Sequence, residues 1–434
     1  MNIGIRREDK SKWEARVPLI PAHVKLLKEK YGIQTYVQPS KIRIFSDAEY
    51  EAFGAILQED LSQCDFVFGV KEMPLVFFTP KSSYMFFSHV IKGQDYNMPM
   101  LQKLLDLKCN LMDYERIVDE QDRRLIFFGR FAGIAGMIDT LWAYGEKLKC
   151  EGIENHFSQI KKAYQYESVE HCKEEMLKIG HLISEEGFSE DLGPLVCGIS
   201  GYGHVSLGAQ EILKCFPYIE IEPEQLIHLK KDGVYSLKHL YVVVFDEEDM
   251  ATPVDIKNKF ALKDYYDNPE KYESQFAQYL PHLSMLVNSI YWTPAYPRLV
   301  TKSNLLKMFQ KNPSQKLKAI GDITCDHDGS IEMTSRITEP DKPGYLYDPF
   351  EQTETADFSQ NGVVIIARDN LPCEIPLDSS VAFSHVLIEF IRQLREAFQN
   401  NKLIPELLPD PLKKALIVFN GQLTENYQYL KKFL

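Results

Sequence analysis

The sequence predicts an α/β protein of two Rossmann-like, doubly wound domains. Three observations carry this. Short apolar runs alternate with polar helical stretches up to about residue 113, as a parallel sheet with crossover helices requires. The alternation restarts near residue 193 with a glycine-rich turn. The 434 residues, 44% hydrophobic and 26% charged, are globular in composition and long enough for two domains.

The elements follow in order. Asn2–Ile5, Thr35–Gln38, Asp65–Val70, Tyr84–Ser88 and Cys109–Asp113 read as strands, with helices over Pro21–Lys30 and Met98–Leu107. Ala132–Leu148 is one long helix, and its Ala132, Gly133, Ala135 and Gly136 permit close packing. Lys149–Asp191 is polar and helical with few large apolar anchors, a peripheral elaboration. Leu195–Ile199 is then a strand, Val205–Cys215 a helix, and Tyr218–Glu222 and His239–Phe245 two further strands. Asp246–Gln278, charged and aromatic, is an excursion from the sheet. Strands resume at Met285–Tyr291, Leu317–Ile323 and Val363–Arg368, and Pro376–Phe398 is a long amphipathic helix before a polar tail.

Composition narrows the function. The net charge is −13 with no long Lys/Arg run, which argues against a nucleic-acid surface but leaves room for local anion pockets. The 8 Cys form no C-x-x-C pair, so reduced thiols in a cytoplasmic protein are expected. MNIGIRREDK has neither signal-peptide nor transit-peptide character, and no apolar run approaches the ~20 residues that span a bilayer.

The glycine turn is GISGYGHVSLGAQ. Gly201 makes the tight turn, Gly203 lets backbone approach a pyrophosphate, and Ser206 replaces the third glycine of the dinucleotide fingerprint. Tyr202, His204 and Val205 complete the turn and open the helix, whose N–H groups suit an anion. Glu222, about 20 residues on, ends the next strand in sequence and is the candidate ligand of the adenosine ribose. A carboxylate there favours NAD over NADP, unless Lys230 or Lys231 folds back to neutralise it. The alternative is an ordinary βα turn.

In a parallel sheet, ligands gather at the carboxyl ends of the strands. Lys71, in GVKEMP, follows one strand. His89, in FFSHVIKGQ, follows the next, with Lys92 just beyond. Glu115 follows a third, and Arg16, in WEARVPL, comes soon after the first. Each alone reads as a solvated charge where a strand meets water. Together at successive strand ends they read as a site. A Lys near a His suits proton transfer, and mutual repulsion lowers both pKa values. In GDITCDHDGS, Asp322, Asp326, His327 and Asp328 have the composition of a metal cluster, but the glycine comes too early for an EF-hand loop. No metal is expected, and Asp326 is placed near the cofactor ribose or ring.

WEARVPLIP, GVKEMP, FFSHVIKGQ, MDYERIVD, FGRFAGIAGM, GISGYGHVSLGAQ, NSIYWTPAYPRL, GDITCDHDGSIE and RDNLPCEIP, in this order, resemble the lysine-ketoglutarate reductases. These are the saccharopine dehydrogenases of the L-lysine-forming type, with an alanine dehydrogenase-like fold. The resemblance implies a substrate domain of residues 1–135 plus 370–434, with an NAD(P)-binding Rossmann domain, 136–369, inserted. It implies a catalytic cleft between the domains, with the two long helices as its hinge.

The implied reaction condenses the ε-amine of L-lysine with 2-oxoglutarate to an imine, which NAD(P)H reduces to saccharopine. The resemblance assigns acid–base work to Lys71 and His89 and substrate carboxylates to Arg16 and Lys92. It gives Glu72 and Glu115 an amine to hold or the Lys/His pair to tune. Glu72 matches the fungal single-domain enzymes, whereas the glycine turn, the aromatic excursion and NSIYW match the reductase half of the bifunctional enzymes. That half prefers NADPH, so the resemblance favours NADP slightly over NAD. Arg130 departs from the pattern, and the second enzyme of the bifunctional protein is expected to be absent. Two other readings stay open: an oxidoreductase for another amine and keto acid, and a non-catalytic nucleotide-binding regulator.

Overall fold

A computed structural model describes the chain except for residues 230–232, 234 and 401. The chain forms two compact units. One comprises Met1–Phe128 and Pro376–Leu434; the other is Gly129–Ile375. The division falls at the first residue of each of the two 22-residue helices, Gly129–Cys150 and Pro376–Ala397. Each long helix therefore lies wholly within one unit and does not run from one to the other.

Among the described residues, the first unit has an eight-stranded sheet. Its order is Gln422–Leu423, Leu416–Phe419, Asn110–Asp113, Ser83–Phe86, Phe66–Phe68, Asn2–Ile5, Gln34–Val37 and Ile56–Leu57. The six strands from the N-terminal part run parallel, and the two C-terminal strands add an antiparallel edge. The central strands FVF, SYMF and NLMD are buried throughout, as a sheet covered on both faces demands. The tail that reads as polar thus contains a buried strand, Leu416–Ile417–Val418, among its charged neighbours.

Helix Pro21–Tyr31 starts with proline in its first turn and stops at Gly32, whose φ of 66° lies in the left-handed region. Helix Pro376–Ala397 buries Phe383, Leu387, Ile391 and Leu394 at helical spacing. Its serines do local work. The Ser380 hydroxyl accepts the Val17 N–H and the Ser384 hydroxyl accepts the Ile20 N–H, both at 3.0 Å. The C-terminal helix therefore pins the WEARVPLI segment that carries Arg16.

The second unit has its own eight-stranded sheet among the described residues. The order is Thr353–Thr355, Gly344–Asp348, Val363–Ala367, Ala319–Asp322, Met285–Asn288, Val196–Ser200, Leu240–Phe245 and Tyr218–Glu220. The first two strands in this order are antiparallel and the other six parallel. Helix Gly129–Cys150 crosses the helix His204–Leu213 at backbone contact. A Cβ at Gly133 would stand 1.9 Å from the Val205 carbonyl oxygen, and one at Gly208 would stand 2.0 Å from that of Arg130. The AGIAG stretch is small for this reason.

The 149–191 segment is packed more firmly than its sequence suggests. Helix Val169–Glu186 buries Val169, Cys172, Met176, Ile179 and Ile183, and Phe157 is fully buried against Phe188 and Phe216. Its anchors recur three or four residues apart, diluted by the charges of the outer face. The excursion after Phe245 folds as a short antiparallel pair, Ala251–Pro253 with Tyr272–Ser274, closed by Tyr265, Tyr272, Phe260 and Tyr296.

Candidate active site and dinucleotide turn

In the first unit, two neighbouring strand ends bring Lys71, Glu72 and His89 together. The strands Phe66–Phe68 and Ser83–Phe86 stay in register beyond their ends, where the Phe87 N–H reaches the Val70 carbonyl at 3.1 Å. Lys71 and Glu72 follow on one strand and His89 on the other. Glu72 Oε1 lies 2.7 Å from His89 Nδ1, and Glu72 Oε2 lies 2.7 Å from Lys10 Nζ. A carboxylate can only accept, so Nδ1 carries the proton and Nε2 is the nitrogen left for proton exchange. Burial would raise the Glu72 carboxyl, but the His89 and Lys10 contacts outweigh it and hold the group at about 2.

Lys71 is partly buried. Burial and then the Arg16 guanidinium lower its pKa, against the pull of Glu14 and Glu72. His89 itself sits at φ +53°, a conformation that costs a non-glycine residue about 1–3 kcal/mol. The hydrogen bond from Asn97 Nδ2 to its carbonyl, 3.1 Å, helps to hold it there.

Arg16 is 3% exposed. Its Nε and Nη2 donate to the two Glu14 oxygens at 2.7 and 2.6 Å, and its guanidinium stacks 4.3 Å from the Phe128 ring centre. Glu115 is buried at its strand end and pairs with Arg124. Behind it, Asp113 accepts the Ser88 N–H at 3.0 Å and the Glu115 N–H at 2.8 Å, and burial lifts its carboxyl to about 6. Lys92 is exposed on the turn beyond His89.

Two acids were missed from the sequence. Glu8 accepts the Val70 and Lys71 N–H groups at 2.7 and 3.0 Å, and burial with the nearby Glu14 charge raises it to about 7. Glu8 stands three residues after the first strand, so the strand-end rule would have found it. Glu14 is two residues before Arg16, too close in sequence to be read as its partner. Beside Glu8 a pocket of about 510 Å³ opens among Arg7, Asp9, Lys12, Ser40 and Asp47. An amine with a lowered pKa can take a proton from an ammonium, and an imidazole oriented by a carboxylate can return one to a leaving hydroxyl.

In the second unit the turn is open. Gly201 has φ +85°, and its N–H bonds the Phe245 carbonyl at 2.8 Å. A Cβ at Gly203 would meet no atom within 4 Å, so the space a pyrophosphate would take is clear. No side chain caps the helix that starts at His204, and its first N–H groups suit an anion. Tyr202 is half exposed, and Val205 passes its carbonyl to the Gly133 crossing. The residues present fit a dinucleotide.

Glu222 does not follow the strand beside the turn. Its strand, Tyr218–Glu220, is the outer edge of the sheet and pairs only with Leu240–Phe245 among the described residues. Leu240–Phe245 is the strand beside the turn, with Ser200 opposite Phe245. It ends in Asp246 and Glu247. Tyr266 donates to Glu247 at 2.6 Å and Tyr202 lies 3.5 Å from the same oxygen. Asp246 instead caps Glu248 and Asp249 N–H groups. Spacing in sequence selects the next strand, whereas the sheet selects the fully apolar run LYVVVF for its interior. Lys230 and Lys231 lie outside the described residues.

Asp322 ends its strand fully buried. It accepts from Asn288 Nδ2 at 2.8 Å and Thr334 Oγ at 2.6 Å, and Ser200 Oγ donates to Asn288 at 2.9 Å. Burial lifts Asp322 to about 6. Asp326 is exposed on the loop that follows.

Comparison with known proteins agrees with the resemblance read from the motifs. The alanine dehydrogenase/PNT N-terminal domain matches residues 4–135 and the C-terminal domain matches 245–426. The alpha-aminoadipic semialdehyde synthase of Arabidopsis thaliana is 36% identical over 99% of this chain and 41% of its own. The mitochondrial enzyme of that name from Mus musculus is 32% identical, over 99% and 47%. The chain spans less than half the length of these relatives. The saccharopine dehydrogenase [NAD(+), L-lysine-forming] of Schizosaccharomyces pombe is 22% identical over 91% of this chain and 93% of its own. An L-alanine dehydrogenase shares the fold at TM-score 0.63 and 16% identity, each chain covered in full. A transhydrogenase from Sinorhizobium meliloti shares it at 0.57 and 14%, covering 98% of this chain. No helix among the described residues is long and apolar enough to cross a membrane.

Proposed function

This chain belongs to the alanine dehydrogenase/PNT family, and we propose that it is the lysine-2-oxoglutarate reductase, or L-lysine-forming saccharopine dehydrogenase, of that family. The observation that carries this reading is the Lys71–Glu72–His89 group at adjoining strand ends. Reductive condensation needs a base to free the lysine ε-amine and an acid to release water from the carbinolamine. Lys71, with its pKa lowered, serves as the base toward the ammonium. His89, oriented by Glu72 through Nδ1, delivers a proton from Nε2 to the departing hydroxyl.

Arg16 binds a substrate carboxylate, sharing its guanidinium with Glu14, and exposed Lys92 meets a second. Glu115 acts on the pair only through the shared Asp113 and Ser88 contacts. On the second unit, Gly201, Tyr202, Gly203, His204 and Val205 cradle the pyrophosphate, and Asp326 lies toward the nicotinamide end. Bound NADH or NADPH supplies the hydride. Glu247, in place of Glu222, meets the adenosine ribose, and its charge favours NAD(H), against the NADP preference that the resemblance carries.

The test is oxidation of NADH and of NADPH with L-lysine and 2-oxoglutarate, together and each omitted, beside ammonia with pyruvate. Oxidation that needs both lysine and 2-oxoglutarate supports the reading and reports the cofactor. Oxidation with ammonia and pyruvate alone overturns it.

A further inference from the structure

The RDNLPCEIP motif lies outside the functions assigned above, yet it carries the most deeply buried charge cluster of the second unit. Arg368 directly follows the strand Val363–Ala367, at the same carboxyl edge as the glycine turn. It is 3% exposed. Its Nε donates to Glu374 Oε1 at 3.0 Å, and its Nη1 donates to the Thr338 carbonyl. Thr338 in turn bonds the Ala367 carbonyl at 2.9 Å. Glu374 is 1% exposed and closes the turn Leu371–Glu374.

Asp139, on helix Gly129–Cys150, is fully buried beside it. Asp139 Oδ1 accepts the Ala163 N–H at 2.8 Å. The two buried carboxyls lie near each other. Asp139 Oδ2 and Glu374 Oε2 are both buried with no hydrogen-bond partner among the described residues. Two acceptors cannot bond without a proton between them. The charges agree: Arg368 neutralises one carboxylate, and a second buried one would be left uncompensated.

We propose that Asp139 and Glu374 hold one proton between them, and that this pair positions the Arg368–Glu374 loop at the carboxyl edge of the dinucleotide sheet. The proton ties the long helix to the loop, and Asp139 Oδ1 ties the same helix to the start of the 163–165 turn. Its loss to solvent puts two carboxylates against one guanidinium and loosens the loop. That the loop borders a dinucleotide rests on the proposed function; the shared proton does not.

The other groups that face the pair leave this balance intact. Lys162 points its Nζ to the Asp341 carbonyl and lies 4.8 Å from the Trp142 ring centre. Tyr166 and Cys172 stand near Asp139, and burial holds both neutral. Asp369 and Cys373 flank Arg368. Burial raises Asp139 well above the usual carboxylate range, and Glu374 is raised with it. The folded state thus keeps a proton that the unfolded chain releases. Stability from this source is complete at acid pH and falls as pH rises through the pair's own titration.

The test compares the full chain with Asp139→Asn, whose amide N–H donates to Glu374 with no proton to lose, and with Glu374→Gln, the mirror variant. Thermal midpoints, loop hydrogen exchange and dinucleotide affinity are followed from mildly acid to alkaline pH. The wild type is expected to lose several degrees relative to Asp139→Asn as pH rises. Its exchange over residues 368–374 should quicken more than tenfold beyond the intrinsic rate, and its dinucleotide affinity should weaken severalfold. Parallel melting curves in wild type and both variants would overturn the shared proton. Diverging curves with unchanged loop exchange would overturn the positioning role. Failure of every form to bind a dinucleotide would overturn the proposed function alone, with the loop exchange still deciding the inference.

Discussion

The two units present the same architectural edge, the carboxyl ends of parallel strands, in opposite chemical states. The edge of the first unit is crowded with paired charge. Glu72 bridges His89 and Lys10, Glu14 holds Arg16, and Glu8 holds two backbone N–H groups. The edge of the second unit, at the glycine turn, is bare backbone with open space above Gly203. The difference teaches what each edge can do. Proton transfer needs groups whose pKa values have been moved by neighbours, so it needs crowding. Pyrophosphate binding needs unobstructed N–H groups, so it needs the removal of side chains.

The sharpest break in this comparison is Lys71→Met. Turnover should fall by about a thousandfold while dinucleotide affinity stays unchanged, as steady-state rates beside fluorescence titration would report. A parallel loss of affinity would put Lys71 at the wrong edge. The reverse case is Gly203→Val. Its side chain meets nothing in the protein, so the melting temperature should hold while dinucleotide affinity drops by about a hundredfold or more. Retained affinity would take the turn out of the site.

Glu14→Ala tests whether the crowded edge carries structural cost. It removes both hydrogen bonds from Glu14 to the buried Arg16 guanidinium, and chemical denaturation should show a loss of roughly 3–5 kcal/mol. A change near zero would mean that Arg16 finds solvent or another partner. At the bare edge, Glu247→Ala should shift the NADPH/NADH preference about tenfold toward NADPH, and Glu222→Ala should leave it unchanged. The opposite pattern would restore Glu222.

The smallest effect is one of pH. The Glu72 charge holds the Lys71 pKa up, so Glu72→Gln should let it fall further. If Lys71 acts neutral, the acid limb of the kcat/KM profile then moves to lower pH. A shift to higher pH would show that the limb belongs to another group.

Many of these strand-end positions were legible in the chain. A buried apolar run that stops at an ionisable residue marks a strand end, and Lys71, His89 and Glu115 were read that way. Glu8 obeys the same rule and was passed over because RRED reads as ordinary surface charge. The position of Glu222 was hidden for a different reason. Its distance from the turn was right, but sheet order is not sequence order. The exposed edge strand YIE and the buried LYVVVF could be told apart by their apolar content alone.

The sequence by itself determined the alternation of strands and helices, the turn that only glycine can make, and the residue types at each strand end. These are local properties, set by side-chain periodicity and backbone freedom. Tertiary structure alone decided which strands are neighbours and therefore which acid stands beside the turn. It also decided that Arg16 is held by Glu14, and that Asp139 meets Glu374 across more than two hundred residues of chain. Charge and burial depend on what lies nearby in space, and folding brings those neighbours from anywhere along the chain.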